Sequence, residues 1–179
     1  MIKRPRVTTI VLALALGLPG CGYTLAGRGS FLPAYIRTIG VPLFVNNTPV
    51  FDIERRLTER VQAELIGRGR YTVTPDRNGV DAVLLGELQS ITLTVASFNE
   101  QQQATRYALT IVVKVEFRDL KTDKVLWNNP GWQFSEQFDV TNVITGTDPN
   151  AFLGQDLNAQ ERLASEFARA LVSAILEAF

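Results

Sequence analysis

The chain has 179 residues, 46% hydrophobic and 20% charged, which suits one domain with enough apolar material for a core. Eighteen basic and eighteen acidic side chains cancel. Lys3, Arg4 and Arg6 precede residue 20 with no acid among them, so the remainder is net acidic and lacks the concentrated basic face of a general nucleic-acid binder. Histidine is absent and cysteine occurs once, which excludes Ser-His-Asp and Cys-His catalysis, an intrachain disulfide and a thiolate metal cluster.

The chain opens with Met1-Ile2-Lys3-Arg4-Pro5-Arg6, a positive n-region, followed by uncharged residues 7–18, rich in Leu, Ala, Val and Ile. This run is too short to cross a hydrocarbon core, which takes roughly twenty residues, and matches the h-region of a secretory signal peptide. Leu18-Pro19-Gly20-Cys21 resembles a bacterial lipobox, with an apolar residue three before the cysteine and a small one immediately before it; Pro19 departs from the pattern. Residues 1–20 are therefore read as a lipoprotein signal peptide. Cys21 is the expected lipidation site, carrying a covalent diacylglyceryl group and an N-acyl chain, and several chains together make a stable anchor where one does not. Gly22 is not the Asp that resembles an inner-membrane retention signal, so delivery to the outer membrane, on its periplasmic side, is expected. Residues 21–34, with Gly22, Gly27, Gly29 and Pro33, form a lipid-anchored linker, and residues 35–179 a single periplasmic domain.

Within that domain residues 35–45 predict a first strand of imperfect alternation, with Pro42 marking an edge or a bulge. Asn46-Asn47-Thr48-Pro49 is a turn cluster. A helix is expected from residue 49 or 52 to 66, because Ile53, Leu57, Val61 and Leu65 recur every four residues and Gly67 and Gly69 follow. Arg55, Arg56 and Arg60 are interleaved with Glu54, Glu59 and Glu64 and read as a solvated face.

A short strand over residues 71–74 precedes a longer one over residues 82–98. There Ile91, Leu93 and Val95 share a face, and Gly86 marks a bulge where apolar parity slips. Residues 106–118 give the clearest strand: Tyr107, Leu109, Ile111, Val113, Val115 and Phe117 face one way, and a mostly polar set faces the other. Residues 119–124 form a hairpin turn, and residues 125–138 its return arm, interrupted by Asn128-Asn129-Pro130-Gly131. Residues 139–156 read as a loop. The last helix opens with Asn158 and Glu161 in capping-box spacing and carries Leu163, Phe167, Leu171, Ile175 and Phe179 as its stripe. The expected class is α+β in the order β-α-β-β-β-α, a mixed four-stranded sheet with two amphipathic helices packed on one face. The other sheet face is left for solvent or a partner, and Trp127, Trp132 and Phe134 near the hairpin leave stability dependent on that partner open.

No motif points to catalysis. Gly27-Arg28-Gly29-Ser30 lacks the Lys-Ser/Thr of a phosphate-binding loop, and Asp139, Asp148 and Asp156 match no calcium loop. A non-enzymatic protein without metal or diffusible cofactor is expected.

Cys21-Gly22-Tyr23-Thr24-Leu25 resembles the Cys-Gly-Tyr-x-Leu opening of the LPS-assembly lipoproteins (LptE). Gly27 and the stretch Ile39-Gly40-Val41-Pro42-Leu43-Phe44-Val45-Asn46-Asn47-Thr48 are similar to that family's first strand and the turn into its first helix. The resemblance extends over residues 21–179 and implies a plug in the lumen of the LPS-inserting outer-membrane β-barrel, assisting its assembly and contacting lipopolysaccharide. Phosphates would call for cations. Arg106, Lys114 and Arg118 on the polar strand face, with Lys121 and Lys124 at the turn, are the candidate lipopolysaccharide-binding residues. Arg70-Tyr71-Thr72-Val73 and the stretch from Val80-Asp81-Ala82 to Leu88 also resemble lipoproteins that regulate peptidoglycan synthases or build secretion pores. A linker of about a dozen residues reaches only roughly 40 Å, short for crossing the periplasm.

Overall fold

The computed structural model describes residues 32–139, 147–155 and 157–178; Cys21, the expected signal peptide and most of the expected linker lie outside these. The described residues contain strands β1 (Thr38–Gly40), β2 (Val45–Asn46), β3 (Thr72–Thr74), β4 (Ala82–Phe98), β5 (Ala104–Asp119) and β6 (Lys124–Asp139). Helices α1 (Ile53–Gly67), α2 (Pro149–Gln155) and α3 (Leu157–Leu176) complete the set. The class is α+β, as expected, but the sheet has six strands rather than four and three helices stand where two were predicted. The strands lie in the order β3-β1-β4-β5-β6, with β2 also paired to β4. β1 is parallel to β3 and β4, and β2 is parallel to β4, while β4, β5 and β6 form an antiparallel meander.

The predicted first strand is two short ones, both beside β4. Val41 still donates its N–H to the Thr74 carbonyl at 2.7 Å. Pro42 then has no N–H to offer, and the ladder stops. A Cβ at Gly40 would lie 2.3 Å from the Asp76 carbonyl oxygen, so only glycine lets the following loop approach. The gap between β1 and β2 is closed by side chains of α1. Gln62 Nε2 donates to the Val41 carbonyl at 2.7 Å, and the Phe44 N–H donates to Thr58 Oγ1 at 3.1 Å. Backbone groups that lost their ladder partners are thereby satisfied inside the protein.

Ile53, Leu57, Val61 and Leu65 are all buried, as their spacing predicts. Gly69 adopts φ 71° and donates its N–H to Ile66, so the turn after the helix uses a left-handed residue where a side chain would be strained. Leu163, Phe167, Leu171 and Ile175 are likewise buried, while Phe179 lies outside the described residues. α3 begins at Leu157, so Asn158 and Glu161 sit inside the helix rather than at its cap. The stretch expected as a loop contains α2 and, in Asp139, the end of β6. Asp148 Oδ1 accepts the Asn150 N–H at 3.0 Å at the start of α2. Asp156 lies outside the described residues.

α1 and α3 pack on each other and share one core with Tyr107, Leu109, Ile111, Val113, Val115 and Phe117 of β5. Trp132 and Phe134 are half-buried against this core, with ring centroids 5.4 and 5.7 Å from Phe167. These aromatics therefore have their partner within the chain. Gly86 is not a bulge: it pairs regularly with Val115, and its missing side chain admits the Phe44 ring, which a Cβ would meet at 2.8 Å. The parity slip comes three residues later, where Gln89 is the extra residue between Leu88 and Ser90. The predicted interruption of the return arm is also a bulge in a continuous strand. Val113 faces Trp132 and Val115 faces Asn129, so β6 spends one residue more than β5, and Pro130 is tolerated because β6 is an edge.

Candidate functional site

The helices cover one face of the sheet. On the other face β5 presents Arg106, Ala108, Thr110, Val112, Lys114, Glu116 and Arg118, half-buried or exposed by their neighbours alone. Its middle is uncharged. Thr110 faces Thr92 on one side and Ser135 on the other, with its hydroxyl 3.1 Å from that of Ser135. Ala108 faces Thr94, whose hydroxyl reaches the Ala108 carbonyl at 3.4 Å, and Val112 faces Ser90. Gln133 and Gln137 of β6 face Val112 and Ala108, so the band is polar but uncharged. Charges are confined to the two ends of the face and to the Lys114–Glu87 pair.

The five candidate lipopolysaccharide-binding residues do not form one site. Twelve residues of strand separate Arg106 from Arg118, about 40 Å. Arg106 lies at the far end, its Nε 2.9 Å from Asp139 Oδ1. Lys114 lies between, its Nζ 3.5 Å from Glu87, the residue opposite it on β4. Arg118 donates to Glu116 and to Asp123, both at 2.8 Å, and those hydrogen bonds, Glu116 first, hold its pKa above the ordinary value. Lys121 and Lys124 share the β5–β6 turn with Arg118. Lys121 Nζ is 2.7 Å from Asp81 Oδ1 and 5.1 Å from the centroid of the Tyr35 ring. Lys124 is exposed opposite Asp119. Arg118, Lys121 and Lys124 thus stand around one corner among four acids, Glu116, Asp123, Asp81 and Asp119.

That corner contains a cluster the sequence did not reveal. Asp119 is only 1% exposed. It accepts the Tyr35 hydroxyl, the Thr122 hydroxyl at 2.6 Å and the Lys121 N–H at 2.8 Å. Burial works against its charge, but the bonds from Thr122, Tyr35 and the turn's backbone prevail and its pKa is lowered. The same bond to Asp119 raises the pKa of Tyr35. Asp81 accepts the N–H groups of Arg37 and Thr38, each at 2.9 Å, and the ammonium of Lys121. Lys121 first, then those two backbone donors, hold its carboxyl well below the usual carboxylate range. The cluster ties the chain entering the domain to the β5–β6 turn. An Asp at a hairpin turn was a visible cue for Asp119; its bond to a tyrosine 84 positions away was not.

A second feature lies beside Lys114. Pro42, Leu43, Val45 and Leu85 line a hollow of about 190 Å³, with Arg77, Lys114, Glu87 and Glu116 around it. Leu43 and Val45 are 56% and 50% exposed, unusual for aliphatic side chains next to a sheet. Among the described residues no three Cys, Asp or Glu side chains are grouped to hold a metal, and no helix is long and apolar enough to cross a membrane. What the arrangement offers is binding: a neutral band, a corner of mixed charge with Lys124 exposed, and a hollow of aliphatic side chains rimmed by charges.

The fold is similar to that of a hypothetical protein from Chlamydia trachomatis, with a TM-score of 0.51 and 11% identity, over 78% of this chain and 95% of that one. Two further solved structures resemble it less closely. Rare lipoprotein B from Shewanella oneidensis has a TM-score of 0.43 and 11% identity, over 79% of this chain and 98% of that one. A minor lipoprotein from Acinetobacter baumannii has a TM-score of 0.45 and 12% identity, over 79% and 94%. No curated protein sequence matches the chain. The sequence pattern of the lipopolysaccharide-assembly proteins, a non-enzymatic lipoprotein family, matches residues 36–175, nearly the whole of the folded domain. The chain belongs to this family, the LptE lipopolysaccharide-assembly lipoproteins.

Proposed function

We propose that the protein is a lipoprotein of the outer membrane, anchored through lipid on Cys21 on the periplasmic side. It assists assembly of the LPS-inserting β-barrel, sits in that barrel as a plug and contacts lipopolysaccharide in transit. Membership of the family supports the general role in lipopolysaccharide assembly. The observation that carries the finer reading is the sheet face without helices, whose uncharged middle around Thr92, Thr94, Thr110 and Ser135 can lie against a polar wall without desolvating charge. In the corner of Arg118, Lys121 and Lys124 the first two are held by acids, so Lys124, exposed and without a salt bridge among the described residues, is the donor best placed for phosphate.

The test is purification of the lipid-anchored protein from detergent-solubilised membranes, followed by identification of what accompanies it. A large outer-membrane β-barrel in near-equal amount is the expected result. Recovery of a peptidoglycan synthase, or of a homo-oligomeric ring alone, would overturn the reading.

A further inference from the structure

The chain enters the domain beside the β5–β6 turn. The Tyr35 hydroxyl donates to Asp119, the Lys121 ammonium stands 5.1 Å from the centroid of the Tyr35 ring, and Leu32 lies three residues earlier. From Cys21 to Leu32 is eleven residues, a reach of at most about 40 Å. The opposite hairpin turn, residues 99–103, lies about 50 Å away along β5. A lipid on Cys21 therefore cannot hold the domain standing on that far turn; it keeps the β5–β6 end close to the bilayer.

The two ends differ in chemistry to match. Tyr35 and Leu120 are each 40% exposed and Val125 39%, all at or beside the β5–β6 turn, and no other turn among the described residues exposes as many large apolar side chains. The far turn is Asn99-Glu100-Gln101-Gln102-Gln103, with exposed Phe98 before it. Around the β5–β6 turn the acids are occupied. Asp81 holds Lys121 and two backbone N–H groups, Glu116 and Asp123 hold Arg118, and Asp119 is buried among its donors. Two cations are left over: Arg37 and Lys124 are exposed and have no salt bridge among the described residues. Apolar side chains beside cations without acid partners suit a lipid surface, where the first enter the headgroup boundary and the second meet phosphates. The flanks of the domain do not offer this. The bare sheet face is polar in its middle, and α1 and α3 carry paired charges, Arg55 with Glu59, Arg60 with Glu161 and Arg169 with Glu166.

We propose that the anchored protein, before it meets the barrel, seats its β5–β6 end on the bilayer that holds its lipid. Tyr35, Leu120 and Val125 lie in the headgroup layer, with Arg37 and Lys124 against phospholipid phosphates. Seated so, β4, β5 and β6 rise from the bilayer and the helix-free sheet face stays uncovered for a partner. The proposal rests on the lipidation of Cys21 proposed above and is independent of the barrel.

The experiment places the lipidated protein in vesicles of phosphatidylethanolamine and phosphatidylglycerol, with a nitroxide on Leu120→Cys or, for reference, on Gln101→Cys. Cys21 is the chain's only cysteine and its thiol is taken by the lipid, so each variant has one free thiol. At residue 120, collisions of the nitroxide with a water-soluble nickel complex should be several-fold fewer than at residue 101, and collisions with dioxygen more frequent. Equal exposure to nickel at both positions, in protein that floats with the vesicles, would overturn the seating and leave the anchor reading intact. Shielding at residue 101 instead would overturn it as well. Arg37→Gln with Lys124→Gln should raise nickel collisions at residue 120, and shielding unaltered by that pair would overturn the part given to the cations. Protein that does not float with the vesicles and carries no lipid on Cys21 would remove the anchor reading and the proposal together.

Discussion

Lys121 Nζ stands 2.7 Å from Asp81 Oδ1, and Asp81 in turn holds the N–H groups of Arg37 and Thr38. A lysine at the β5–β6 turn thus secures the start of β1 through a single carboxylate. Its neighbour Lys124 lies three residues along, exposed. The two lysines of one turn therefore have different work, and they should respond differently to the same substitution.

Lys121→Gln leaves Asp81 without its ammonium and should lower the melting temperature, whereas Lys124→Gln, at an exposed side chain without a salt bridge among the described residues, should leave it nearly unchanged. If the corner holds lipopolysaccharide phosphates, Lys124→Gln weakens binding of purified lipopolysaccharide while the fold stays intact. Thermal unfolding and equilibrium binding on the same two variants separate these effects. Unaltered binding by Lys124→Gln would remove this residue from the candidate site.

The corner also sets the pH range of stability. Asp81 and Asp119 have lowered pKa values, so their contribution is present above the unfolded aspartate value of about 4 and is lost as pH falls below it. Tyr35 has a raised pKa, so its contribution is present below about 10 and is lost as pH climbs through the folded value. Denaturation followed from pH 2 to 11 should show both limbs. Asp81→Asn should make the acid limb shallower and leave the alkaline one, whereas Tyr35→Phe should abolish its alkaline contribution and also weaken the acid limb, because the same bond lowers the pKa of Asp119.

Thr58 is 3% exposed, donates to the Glu54 carbonyl at 2.6 Å and accepts the Phe44 N–H at 3.1 Å. Thr58→Val keeps the shape but orphans a backbone donor, which costs about 1–3 kcal/mol. Thr58→Ser keeps the hydroxyl and should recover most of it. Denaturant titration of the three proteins measures the difference.

Gly86→Ala drives a methyl group into the Phe44 ring, which is 2% exposed and has little room to retreat. Overpacking of this kind costs about 1–3 kcal/mol. Phe44→Leu frees space, so the double variant should lose less than the sum of the single losses, and a double-mutant cycle by chemical denaturation reads that coupling. Strict additivity would mean that the ring is not what excludes a side chain at Gly86.

What the sequence by itself determined follows from local periodicity. Ile53, Leu57, Val61 and Leu65 every four residues, and the odd positions from Tyr107 to Phe117 every two, name the buried faces of α1 and β5 without any knowledge of what packs on them. The Cys21-Gly22-Tyr23-Thr24-Leu25 opening, the stretch from Ile39 to Thr48 and the element order were also legible, and together they resembled the family whose pattern matches residues 36–175. Only the tertiary structure decided that β1 and β2 share one lane beside β4: Pro42 marks a break, but that the chain resumes beside the same strand depends on two side chains of α1 that satisfy the backbone in the gap. The same holds for the bulges at Gln89 and Pro130-Gly131. A bulge is a mismatch between two strands, and neither strand carries the count of the other. The bond from Tyr35 to Asp119 belongs to this second class, since it depends on which distant segments the chain brings together.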